Sequence, residues 1–97
     1  MEPKKAYIYW THPSHSQKQL LVGTKYFPHI VRDNDAEQMH WSIQFMITEA
    51  NREKQGIIDF SMLIDNYETR EFNKTLTPGT SFTLFEACTE VAKGHIV

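Results

Sequence analysis

The clearest signal along the chain is a period of two. Met39, Trp41, Ile43, Phe45 and Ile47 are apolar, His40, Ser42, Gln44 and Thr48 are polar, and only Met46 breaks the alternation. Such alternation predicts a half-buried strand. A helix competes, because Asp35 could cap it and Met39, Ile43, Met46 and Ala50 fall at helical spacing. Five apolar residues in alternation, with Trp, Phe and two Ile among them, favour the strand. A second strand is predicted where Ile58, Phe60, Met62 and Ile64 alternate with Asp59, Ser61 and Leu63. Ala6-Tyr7-Ile8-Tyr9-Trp10 is aromatic and β-branched, the chemistry of a pleated, half-buried surface. Leu20, Leu21 and Val22 form a short apolar run before Gly23. Tyr26 to Val31 is extended but contains Pro28, which places it at an edge or a bulge.

Polar punctuation separates these runs. Thr11 to Gln19 holds a proline and reads as a loop, Arg32 to Glu37 as a connector, and Asn51 to Gln55 as a turn. Thr77-Pro78-Gly79-Thr80 is a strong turn, with proline preset for its second position and glycine free to take positive φ. Ser81 to Glu86 and Glu90 to Val97 form a predicted hairpin around Ala87-Cys88-Thr89. Gly94 within its second strand predicts a bulge or a close backbone approach. The stretch 65–76 fits a strand, a turn or one helical turn. About six short strands with frequent turns predict an all-β fold, a small barrel or sandwich. Closure into a barrel removes aggregation-prone edges.

The 97 residues make one domain, 1–97. The 40% hydrophobic content is enough for a core. With 10 basic and 12 acidic residues the net charge is −2, so no bulk positive field draws in nucleic acid, and only a local patch could do so. The one cysteine, Cys88, excludes an intrachain disulfide. No apolar run of signal-peptide character follows Met1-Glu2-Pro3-Lys4-Lys5, and no stretch approaches the ~20 apolar residues of a membrane-crossing helix. A cytoplasmic protein without membrane contact is the expectation.

The C-terminal third carries a resemblance. Leu76-Thr77-Pro78-Gly79-Thr80-Ser81-Phe82-Thr83-Leu84-Phe85-Glu86, followed by Val91-Ala92-Lys93-Gly94-His95-Ile96-Val97, resembles the end of the third domain of elongation factor Tu. Ala6 to Trp10 is similar to that domain's first strand. Gly23 with Tyr26-Phe27-Pro28-His29-Ile30-Val31 is similar to its Gly-Tyr-Arg-Pro-Gln-Phe-Tyr segment, with two extra residues after the glycine. The resemblance implies a six-stranded antiparallel β-barrel standing alone, without the GTPase domain. None of Gly23, Gly56, Gly79 and Gly94 heads a phosphate loop, so no nucleotide is expected. In the family this domain helps hold the T-stem of aminoacyl-tRNA and packs against protein neighbours. This chain keeps Glu86 at the matching hairpin tip but has Ala87 and Cys88 for the two glycines, Thr89 for the arginine and His29 for the glutamine. Those changes remove a close backbone approach and a phosphate contact.

Candidate chemistry is sparse. His12 and His15 could offer imidazoles to a metal, joined only through folding by His29, His40, His95 or Cys88, but paired ligand spacings are missing. Cys88 could act as a nucleophile, and the flanking Glu86 and Glu90 oppose its activation. Asp59, Asp65, Glu68 and Glu71 could include an acid–base pair, and read more simply as solvated charge. No catalytic residue, metal or cofactor is therefore expected. Trp10, Trp41, Tyr7, Tyr9 and Tyr26 could stack on bases, with Lys4, Lys5, Lys18 and Lys25 supplying charge. Trp41 shares the apolar register and belongs in the core. Trp10, Tyr7 and Tyr9 cannot all face inward on one strand, so this strand is a candidate contact surface. The expectation is a non-enzymatic binding module that contacts another protein, with RNA binding as the alternative. The expected contact residues are Trp10, Lys25, Tyr26, His29 and Glu86.

Overall fold

The structure, a computed structural model, describes residues 3–11, 22–50 and 55–97. The expected loop from His12 to Gln19, Leu20, Leu21 and the turn over 51–54 lie outside the described residues. Among the described residues, seven strands and one helix follow one another. They are β1 (Lys4–Trp10), β2 (Lys25–Tyr26), β3 (His29–Arg32), β4 (Trp41–Ala50), β5 (Gln55–Met62), α1 (Tyr67–Lys74), β6 (Ser81–Glu86) and β7 (Thr89–Ile96). All pairings are antiparallel. The order β4-β3-β6-β7-β1-β5 returns to β4, which closes a six-stranded barrel, and β2 adds to β4.

Alternation sets the two faces. Ile43, Phe45 and Ile47 of β4, Ile58, Phe60 and Met62 of β5, Ala6, Ile8 and Trp10 of β1, and Phe82 and Leu84 of β6 fill the interior. The intervening residues point out. Two irregularities tighten the curve. The β4–β5 register shifts between Ile47 and Glu49, and the β6–β7 register between Leu84 and Phe85. Bulges of this kind bend a strand and raise its twist, which closure of so small a sheet requires.

β2 and β3 are one strand broken at Pro28. Lys25 pairs with Met46, Tyr26 with Phe45, His29 with Ser42 and Ile30 with Trp41, a single unbroken register. The Ile43 amide donates to the Pro28 carbonyl at 3.1 Å. Proline gives no amide in return, so the ladder is interrupted and not shifted. Only the β3 part also pairs with β6, so the proline sits where the segment is an edge.

The open stretch over 65–76 holds α1. Asn66 caps it, its side chain accepting from the Thr69 amide at 2.9 Å while Thr69 Oγ1 accepts from the Asn66 amide at 2.9 Å. Thr69 and Phe72 face inward, and Phe72 stacks on Trp41 at 4.8 Å and 14°. Eight residues are too few to hold a helix alone, so the cap and this stacked pair carry it. Gly79 follows with φ 91°, and the Thr80 amide donates to the Thr77 carbonyl at 3.0 Å, the expected turn. Gly94 provides the expected close approach. A side chain there would run into the Tyr7 carbonyl across the β1–β7 pair, Phe82 and Ile8. Among the described residues no helix is long and apolar enough to cross a membrane.

Candidate functional site

The strand that links Lys25 to Arg32 puts Lys25, Phe27 and His29 on the outer face, with Tyr26 and Ile30 turned in. Register extends each outward residue into a row. Phe85, His29 and Ser42 form one, and the Leu63 amide donates to the Ser42 carbonyl at its end. Gln44 and Ser61 lie in the next, joined by a 3.3 Å hydrogen bond, beside Phe27. Lys25, Met46, Asp59 and Lys5 form the third. A groove over this region is lined by Pro3, Lys25, Gln44, Met46, Asp59 and Ser61, with Phe45 and Phe60 beneath.

This face is apolar at its centre. Phe27 is 63% exposed, Leu63 50% and Met46 37%. A side chain as large as Phe27 held that far into solvent, between two paired segments, is the chemistry of a contact residue. Two histidines border it. The His29 and His40 rings meet edge to face at 5.8 Å, and His40 packs on Phe85 at 4.9 Å. His40 is held by the connector before β4, where the Asp35 carboxylate accepts from the amides of Glu37 and Met39 at 3.0 and 3.2 Å.

The expected contact residues divide. Lys25 and His29 share this face. Glu86 lies at the end of β6, next to Phe85. Trp10 does not face outward: it is 7% exposed and meets Tyr26 edge to face at 5.6 Å. Tyr26 in turn stacks on Phe45 at 5.1 Å, so these two expected contact residues are packing residues of the barrel interior. The outward aromatics of β1 are Tyr7 and Tyr9, one residue out of register with Trp10, as a period of two demands. Sequence reasoning missed Phe27, because it sits beside Pro28 where alternation is hard to read.

The lysines expected to make a basic face do not form a bare positive strip. Lys5 Nζ bonds Asp59 Oδ1 at 2.8 Å, which places a carboxylate between Lys5 and Lys25. Lys4 pairs in register with Phe60, and Lys18 lies outside the described residues. Three of the candidate acid–base carboxylates, Asp59 among them, are likewise engaged. Asp65 accepts two bonds from Arg70, at 2.6 and 3.2 Å, and Glu71 pairs with Lys74 at 3.0 Å. The Arg70 hydrogen bonds hold the Asp65 carboxyl below its ordinary value and raise Arg70. Cys88 is exposed at the β6–β7 tip. Among the described residues no three His, Cys, Asp or Glu side chains are grouped to hold a metal; His12 and His15 lie outside them. No protein-family model matches the chain, and no curated protein matches it in sequence.

Proposed function

We propose that this protein is a non-enzymatic binding module that docks another protein through the outer face of β2, β3 and β4. Phe27 carries the reading. It stands 63% exposed at the break between β2 and β3, between the outward Lys25 and His29 and alongside the Gln44–Ser61 row of β4 and β5. An apolar centre inside a polar rim is the usual anatomy of a protein interface, and aromatic residues dominate the energy of such patches. The resemblance to the third domain of elongation factor Tu fits this role, since that domain also works by packing against neighbours. Its tRNA-facing role is the weaker carry-over, because the cation nearest Lys25 in the row is neutralised by Asp59.

The test is a tagged capture from host lysate, run with and without ribonuclease, for the wild type and for Phe27→Ser. The proposal expects a protein partner that survives ribonuclease and is lost with Phe27→Ser. Partners that vanish with ribonuclease would replace it with RNA binding.

A further inference from the structure

The two histidines that border the Phe27 face are brought together by backbone. His29 is paired on both sides, with Phe85 of β6 and Ser42 of β4. His40 lies two residues before Ser42, the diagonal position from which an aromatic side chain reaches across a strand pair. The connector that delivers His40 is fixed as well. The Gln38 amide donates to the Asp35 carbonyl at 3.2 Å, and the Asp35 carboxylate takes the Glu37 and Met39 amides. Gln38 itself holds φ 51°, a left-handed conformation unfavourable for a residue with a Cβ. Strain of that kind persists where the surrounding structure over-determines it, and it gathers at ligand sites.

We propose that His29 and His40 chelate a divalent late transition-metal ion, with water in the remaining coordination positions. Imidazole is the commonest protein ligand for such ions. Among the described residues neither ring makes a hydrogen bond or an ion pair, so the nitrogens of both are unclaimed. The spacing fits one ion. A tetrahedral centre ~2.0–2.1 Å from one nitrogen of each ring sets the ring centroids ~5.2 Å apart. The two centroids stand 5.8 Å apart with the planes at 87°, so a small turn of either side chain closes the chelate. His40 is exposed and His29 half-buried, which lets an ion in from solvent. The row through His29 runs from Ser42 to Phe85 and Glu90 and holds no lysine or arginine to repel a dication. Two imidazoles with water suit copper(II) best in the usual order of divalent affinities, with nickel(II) and zinc(II) below it. No third His, Cys, Asp or Glu is grouped with the pair among the described residues, so the site is open-sided. It needs no docked protein and stands apart from the reading of the Phe27 face.

The test titrates the ¹⁵N-labelled full chain with copper(II) ion alone, read by paramagnetic broadening of the backbone amides. The proposal expects saturable loss of signal centred on His29, His40, Ser42 and Phe85. His29→Gln and His40→Gln should each weaken binding about tenfold or more, since even an outer-shell partner of a metal is worth about 10–100-fold. Their metal-free spectra should match wild type away from the site, which assigns the loss to a ligand and not to the fold. Zinc(II) should raise the Tm of wild type, because it binds the folded chain, and should not raise that of either variant. His12→Gln and His15→Gln should bind copper as wild type does. Phe27→Ser should too, so this site and the protein-docking face can fail separately. Broadening centred on His12, His15, His95 or the amino terminus instead would overturn the proposal. So would wild-type affinity in His29→Gln or His40→Gln, or the absence of saturable broadening at millimolar copper.

Discussion

Gly94→Ala should destabilise the barrel severely, and the reason is geometric. Gly94 lies on β7 opposite Ile8 of β1 and Phe82 of β6, in the interior row. A Cβ built there overlaps the Tyr7 carbonyl oxygen and stands 2.9 Å from Phe82 Cζ and 3.0 Å from Ile8 Cγ2. The phenyl ring can give by a few tenths of an ångström; the Tyr7 carbonyl is backbone and can move only if β1 moves. Overpacking a close-packed interior costs about 1–3 kcal/mol, and a strand pushed off its partner adds about 0.5–1.5 kcal/mol for each ladder bond weakened. Alanine returns about 0.4–1 kcal/mol by restricting the unfolded chain. The net loss should be about 2–4 kcal/mol. For a domain of this size each kcal/mol moves Tm by about 4–8 °C, so thermal unfolding followed by circular dichroism should show a fall of about 10 °C or more. A Tm within 2–3 °C of wild type, a shift of well under 1 kcal/mol on that scale, would refute the close approach and with it the β1–β7 register.

Three further substitutions probe other parts of the fold. Asn66→Ala removes the helix cap, and chemical denaturation should show about 0.5–2 kcal/mol of lost stability, with unchanged stability excluding the capping box. Ala87 holds φ 53° at the β6–β7 tip, so Ala87→Gly should relieve left-handed strain and raise stability by up to about 1 kcal/mol, whereas a loss would deny that conformation. The Asp65 carboxyl should titrate below 3.8 by NMR and return toward it in Arg70→Ala. Because its folded value is depressed, the pair's contribution to stability is present above the ordinary value and fades as pH falls through the folded one, so Asp65→Asn and wild type should converge in acid.

Strands were legible wherever one face is core and the other solvent. β4 and β5 show that alternation because Ile43, Phe45, Ile58 and Phe60 all enter one interior. The helix was not legible, since Tyr67 to Lys74 buries only Thr69 and Phe72 and so lacks an apolar stripe. Its one local signal is Asn66 with Thr69 three residues on. Pro28 hid the continuity of β2 and β3, because the sequence shows a missing donor but not that the register survives it. Of the expected contact residues, Lys25 and His29 lie together on one outer face. Trp10 misled because aromatic content says that a strand is half-buried, not which parity of residues turns inward. That parity is set by the pairing of Trp10 with Ala92 and by the ring of Tyr26 reached across the barrel.

The central claim is that the Phe27 face docks a protein. Its most direct test is quantitative binding of the captured partner to wild type and to two single variants, Phe27→Ser and Tyr67→Ala. Both residues are exposed aromatics, at 63% and 74%, and Tyr67 lies on α1. The account predicts that Phe27→Ser weakens binding about tenfold or more, the size of a central hot spot, while Tyr67→Ala leaves it unchanged. Equal affinity of Phe27→Ser and wild type, or a loss confined to Tyr67→Ala, would contradict it.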